Sequence, residues 1–301
     1  MKIIFAGTPA NAALGLEAVA KDHEVILVIT REDAEVGRKR VLTPSAVAQK
    51  AAELGLPVLK ASKLGSSELQ AISSSGAELA LVIAYGAMVP EAALNLLPWW
   101  NLHFSLLPMW RGATPLQHSI LNGTASGVTL FKLDKGLDTG EIVSSREIAL
   151  GDTESTADAL PRFTTIGIEM FNDAIAAAPS LTPQVGEPSY APKLQRIDAK
   201  LDLTKKADQV HRAILAFNPE PVAWCDFGGN PIRILESRSL GNTDWNPNAH
   251  QPGRVSLSGD KVLLECGEGT QLEIRKIQPA GKNVMAAGDW YRGVNKEVFF
   301  G

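Results

Sequence analysis

Residues 2–30 read KIIFAGTPANAALGLEAVAKDHEVILVIT. KIIFAG is a short β-like run ending at a glycine, NAALGLEAVA has helical composition, and EVILVIT is strand-like again. The alternation continues outward. PSAVAQKAAELG reads as an alanine-rich helix closed by Gly55, LPVLKA, SSELQAISSS and ELALVIAY extend the series, and a further helix is expected near PEAALNLL. Strands interleaved with helices of this length predict a parallel sheet with crossover helices, a Rossmann-like α/β domain. One more helix is expected within GDTESTADALPRFTTIGIEMFNDAIAAA, with Asp152 or Thr153 as its N-cap.

Beyond that helix the pattern changes. From Pro179 to about Lys193 the chain is rich in Pro, Ser and Gly, as a linker would be, and ADQVHRAILAF looks helical. VAWCDF, PIRILES, GRVSL, KVLLEC and QLEIRKI then follow as short runs separated by turn signals. Such punctuation suggests a small closed β domain. The expected division is residues 1–183, a linker at 184–203, and 204–301.

With 301 residues, 45% hydrophobic and 21% charged, the chain has the composition of a soluble globular protein of two ordinary domains. Its longest apolar run, LALVIAYGAMV, falls well short of the ~20 residues that span a bilayer, and MKIIFAGTP is too brief for a secretory signal. A cytoplasmic protein without a membrane partner is expected. Cys225 and Cys266 have no ligand at metal spacing, so they read as buried packing thiols and no metal is implied. The net charge of −4 is uneven: from Tyr190 onward there are 15 Lys+Arg against 13 Asp+Glu, and before it 14 against 20. A mildly basic C-terminal part hints at a polyanionic partner, although on charge alone ordinary solvated surface is the better reading.

The first strand, turn and helix invite a dinucleotide-binding reading. FAGTPANAA, however, has one glycine where that fingerprint needs three, so close approach to a pyrophosphate lacks its support. A different constellation carries chemistry. In WWNLHFSLLPMWRG, residues 99–112, Asn101 and His103 alternate, and on a strand residues two apart project to the same side. In FKLDKGLDTGEIV, Asp138 sits between Gly136 and Gly140 on a loop able to approach a ligand closely. An amide donor, an imidazole and a carboxylate are what acyl transfer through an oxyanion requires. Singly, each has a plainer reading: a packed histidine, or an aspartate that forms a turn. Trp99, Trp100 and Trp110 read as core or pocket wall rather than base-stacking groups.

N-x-H followed by S-L-L-P and W-R-G, with G-L-D-T-G farther on, resembles the folate-dependent formyltransferases. FAGTP, GRKRVLTPS at 37–45, VIAYG at 82–86, SYAPKL at 189–194, AFNPEP at 216–221 and QPAGK at 278–282 are similar, in order, to segments of the members that formylate methionyl-tRNA. The resemblance implies Asn101, His103 and Asp138 as the catalytic set, and 10-formyltetrahydrofolate as donor, held near Ser105, Leu106, Leu107, Pro108, Tyr85 and Gly86. It implies initiator methionyl-tRNA as acceptor, contacted by Arg38, Lys39 and Arg40, and a monomeric enzyme of translation initiation. On this likeness 1–183 would be the Rossmann-like catalytic domain and 204–301 an OB-like β-barrel that binds tRNA. Two departures stand out: Phe104 lies where most relatives carry glycine, and TREDAEVGRKR has acidic residues where arginine and proline are commoner. The alternatives are a formyltransferase for a nucleotide sugar or glycinamide ribonucleotide, and a non-catalytic tRNA-binding module.

Overall fold

The structure, a computed structural model, describes residues 1–37, 40–242, 251–294 and 297–301. These fall into two compact units. One comprises Met1–Pro115, Ala125–Ala149 and Leu160–Pro192; the other comprises Leu116–Thr124, Leu150–Ala159 and Lys193–Gly301.

In the first unit a seven-stranded sheet runs, edge to edge, Ile142–Glu147, Gly127–Lys132, Trp99–His103, Leu79–Ile83, Lys2–Gly7, Glu24–Thr30 and Val58–Lys60. The last five are mutually parallel, and Gly127–Lys132 is antiparallel to both of its neighbours. Central strands of this kind are covered on both faces, which explains why IIFA and LALVI are unbroken apolar runs: Ile3 through Ala6 are fully buried. On one face Ile4, Ala6, Ala80, Val82 and Trp99 pack with Ile72 and Ala93. On the other, helices Ala10–Asp22 and Thr156–Ala177 come close enough that a Cβ at Gly15 would lie 2.6 Å from Ile83, and one at Gly167 2.4 Å from Leu102.

Two expectations are corrected. The long helix begins at Thr156, and its N-cap is Ser155 rather than Asp152 or Thr153. Ser155 Oγ accepts from Asp158 N at 3.3 Å while Asp158 Oδ2 accepts from Ser155 N at 3.1 Å, a reciprocal pairing that satisfies two donors at once. The expected linker at 184–203 is packed. Tyr190–Ala191 pairs in parallel with Arg111–Gly112, and Ala199, Leu201 and Leu203 belong to the core of the second unit. Its Pro and Ser residues signal irregular backbone, but that backbone is bonded: Arg111 N donates to Ser189 O and Ala113 N to Ala191 O, both at 2.8 Å.

The second unit is the OB-like barrel. Its antiparallel strands follow the order Trp224–Phe227, Asn230–Asn242, Thr270–Pro279, Lys261–Glu265, Arg254–Ser258 and Val298–Phe299. Past the last strand, Gly301 exchanges two backbone hydrogen bonds with Asp226, at 2.6 and 3.0 Å, and so returns the sheet to its first strand. Alternate residues fill the interior, among them Ile232, Ile234, Val262, Leu264, Leu272 and Ile274, and helix Ala207–Phe217 adds Val210, Ile214 and Phe217. Cys225 and Cys266 are buried in this core, and burial pushes both thiols up to about 12. No helix among the described residues is long and apolar enough to cross a membrane.

Candidate active site

The site forms at the C-terminal end of strand Trp99–His103. Trp99 belongs to the cluster on one face of the sheet, and its indole N–H donates to Ala93 O at 3.0 Å. Leu102 meets the long helix on the other face. Asn101 and His103 therefore share the face of Trp99, one and two pleats nearer the strand's end. Across the ladder Asn101 pairs with Phe131 and His103 with Thr129. Thr129 secures the turn that follows: its hydroxyl donates to Ser105 O at 2.7 Å and accepts from Leu107 N at 3.1 Å.

His103 is buried, and its surroundings set its tautomer. Nε2 lies 2.9 Å from the Trp110 carbonyl, which can only accept, so Nε2 carries the hydrogen. Nδ1 is left facing Asp138 Oδ2 at 3.8 Å, too long for a hydrogen bond but close enough for a strong charge interaction. Burial lowers the His103 pKa below its ordinary value, while Asp138 and the Trp110 carbonyl act in the opposite direction without reversing it. Asp138 adopts φ +52°, a conformation rare for a residue with a side chain. Its Oδ2 accepts from Gly112 N at 2.7 Å. The loop is drawn against the sheet at Gly140, where a Cβ would lie 1.7 Å from the Lys132 carbonyl oxygen, so no other residue fits.

Asn101 is half-buried on the same face of the strand as His103. A carboxamide offers two N–H donors of the kind a developing oxyanion would take. The structure thus brings His103 and Asp138 together on a strand end where Asn101 shares their face. Other candidates stand differently. Tyr85 is 1% exposed, and its hydroxyl donates to Ala61 O at 2.6 Å, so its side chain is core. Gly86 O accepts from Arg31 at 3.1 Å on an exposed loop that also carries Met88. Ser105 is fully buried and donates to Met109 O at 2.5 Å; Leu107, Pro108 and Phe104 are buried, and Leu106 is half-buried. Arg38 and Lys39 lie outside the described residues. Arg40 is exposed between two short strands, Ala34–Val36 and Val41–Thr43, and pairs with Glu35 at 2.5 Å.

Residues that spacing did not mark complete the site. The Trp110 carbonyl and Gly112 N–H orient the pair, and Gln184 bonds to Asp138 O at 2.9 Å, to Gly140 O at 2.8 Å and to Arg111. The W-R-G and G-L-D-T-G motifs pointed at these stretches, but backbone groups leave no residue-type signal. Among the described residues, no group of three or more His, Cys, Asp or Glu is placed to hold a metal ion.

Comparison with known proteins bears on this arrangement. The formyl transferase model matches residues 1–175, and the formyl transferase C-terminal domain model matches residues 193–295. The methionyl-tRNA formyltransferase of Leifsonia xyli subsp. xyli is 41% identical over 305 aligned positions, covering 99% of each chain. Among solved structures, an N-formyltransferase from Helicobacter canadensis in complex with folinic acid and dTDP-3-aminofucose superposes with a TM-score of 0.66 at 19% identity, over 93% of this chain and 99% of that one. Methionyl-tRNA formyltransferase from Clostridium thermocellum gives a TM-score of 0.59 at 16% identity, over 91% and 98%. The structural likenesses bear on fold alone. The matched models and the identity along the whole length go further, and by them this chain belongs to the formyltransferase family.

Proposed function

We propose that this enzyme transfers the formyl group of 10-formyltetrahydrofolate to the α-amino group of methionine on initiator tRNA, as a cytoplasmic monomer serving translation initiation. The observation that carries the reading is the 41% identity to a methionyl-tRNA formyltransferase through both family segments. A folate donor is further supported by the folinic acid named with the Helicobacter neighbour. The chain's own residues suit the reaction.

The acceptor amine attacks the formyl carbon, a C–N bond forms, and the carbonyl oxygen takes the negative charge. Asn101 donates to that oxygen, an interaction that strengthens only as charge develops. The attacking nitrogen must shed a proton and the departing folate nitrogen must gain one. Asp138 accepts the first, directly or through water, and a bridging water carries it across the 3.8 Å gap to Nδ1 of His103, the ring's one free proton site. His103 then gives it to the leaving nitrogen as the C–N bond to folate breaks. A neutral resting ring departs from the expectation that His103 is already protonated. Burial makes its cation a readier acid, which favours that second transfer. Ser105 to Pro108 and the loop at Tyr85 and Gly86 shape the donor's surroundings through backbone and packing. Arg38, Lys39 and Arg40, together with the domain at 204–301, supply charge for tRNA phosphates; 1–183 supplies the chemistry.

The direct test supplies purified protein with 10-formyltetrahydrofolate and methionine-charged initiator tRNA, and resolves the product on an acid gel. Formylmethionyl-tRNA is expected, with His103→Ala slower by ~10²-fold or more. A parallel arm supplies a nucleotide-linked amino sugar. Formylation of the sugar alone would overturn the reading.

A further inference from the structure

Gln184 uses every hydrogen-bonding position of its side chain. Nε2 donates to Asp138 O at 2.9 Å and to Gly140 O at 2.8 Å, while Oε1 accepts from Arg111 Nε at 3.2 Å and from its terminal nitrogen at 2.7 Å. The carboxamide therefore joins two segments that both bear on His103. One is the loop that carries Asp138; the other is the 110–112 stretch, whose Trp110 carbonyl receives the Nε2 hydrogen of His103 and whose Gly112 N–H binds the Asp138 carboxylate. Trp110 and Asp138 hold left-handed backbone angles, φ +62° and +52°, which side chains disfavour and which persist only when surroundings over-determine them. The Gln184 bonds to carbonyls and guanidinium provide such constraint.

We propose that Gln184 is a positioning residue for formyl transfer: its carboxamide locks the Asp138 loop to Arg111 and thereby sets the distance and aim of the Asp138 carboxylate toward His103. This rests on the reading of Asn101, His103 and Asp138 as the reacting set. Side-chain chemistry narrows the choice at this position. Glutamate would accept from Arg111 but has no hydrogen for the two carbonyls. Lysine or arginine would donate to the carbonyls but repel Arg111. A carboxamide of this length meets both sides.

The test compares Gln184→Ala and Gln184→Glu, each alone and in an Asp138→Asn background. Both single variants should lose on the order of 10²-fold in kcat, with KM for folate and tRNA nearly unchanged, since misplacement of a catalytic group acts on the chemical step. In Gln184→Ala the carboxylate drifts from Nδ1, so an imidazole NMR titration should show the His103 pKa falling. In the Asp138→Asn background, Gln184→Ala should have almost no further effect on kcat or on that pKa, because the two act as one unit. Full multiplication of the two losses, or near-normal kcat in Gln184→Glu, would overturn the proposal. Should the alanine variant fail to fold, the glutamate variant, which keeps the acceptor for Arg111, carries the kinetic test. The NMR arm needs no turnover: absence of formyl transfer in the unaltered enzyme would sink the proposed function, whereas an unmoved His103 pKa would sink the role of Gln184.

Discussion

His103 is governed by two opposed forces, and burial wins. Removing an imidazolium from water costs more here than a carboxylate at 3.8 Å returns, so the pKa lies below its ordinary value. Asp138→Asn removes the favourable partner and leaves the burial, so the His103 pKa should fall further in an NMR titration, while kcat falls by ~10²-fold or more as for a positioned acid-base group. A pKa that stays put while activity falls would make Asp138 a proton acceptor only. Much of this site was legible in sequence: the alternation of Asn101 and His103 on a strand defines a shared face whatever surrounds it. The ring's resting charge was not, because burial is a sum over residues distant in the chain. Gln184 was equally hidden, since its partners are carbonyls and one arginine that no spacing rule links to it.

Helix Thr156–Ala177 holds strand Trp99–His103 from behind. A methyl at Gly167 would lie 2.4 and 2.6 Å from the two terminal carbons of Leu102, the residue between Asn101 and His103. Gly167→Ala should therefore destabilise the fold by ~1–3 kcal/mol through overpacking, read as a lower melting temperature, and slow turnover as the strand shifts. In the second unit, His211 joins its helix to two other segments: Nδ1 meets Ser237 Oγ at 2.8 Å and Nε2 meets the Asp152 carbonyl at 3.0 Å. Burial lowers its pKa, so the unfolded chain takes up the proton first as the medium acidifies. The sign follows directly: this contribution is fully present above the unfolded value near pH ~6.5 and is lost as pH falls toward the lower folded value. Melting curves across that range should lose stability on acidification in the native chain, and less steeply in His211→Gln. Elements with strong periodicity, such as KIIFAG and ADQVHRAILAF, were readable from composition. The start of the long helix was not, because Asp152, Thr153 and Ser155 all qualify as caps and only the reciprocal bonds with Asp158 decide among them.

At the scale of the molecule, charge and closure set how a partner is met. The acidic part before Tyr190 and the mildly basic part after it argue for tRNA held by local patches rather than by overall attraction. Replacing Arg38, Lys39 and Arg40 with alanine should raise KM for tRNA and flatten its log-log salt dependence by about one unit for each phosphate that the loop no longer neutralises. An unchanged slope would make these residues ordinary solvated surface, and the Glu35 pairing of Arg40 predicts the smallest share for that residue. The two-domain plan was legible as a change of rhythm from alternating elements to short strands, but the span between them was not: Pro and Ser residues marked irregular backbone without revealing that Tyr190–Ala191 forms a strand pair. One feature of the barrel bears on its company. Because Gly301 bonds to Asp226, neither Trp224–Phe227 nor Val298–Phe299 offers a full row of unsatisfied amides and carbonyls to another polypeptide. Those two edges are thereby guarded against strand addition and edge-to-edge aggregation, and a partner that meets the barrel there is recognised by side chains, whose charges can be exchanged without disturbing the ring beneath them.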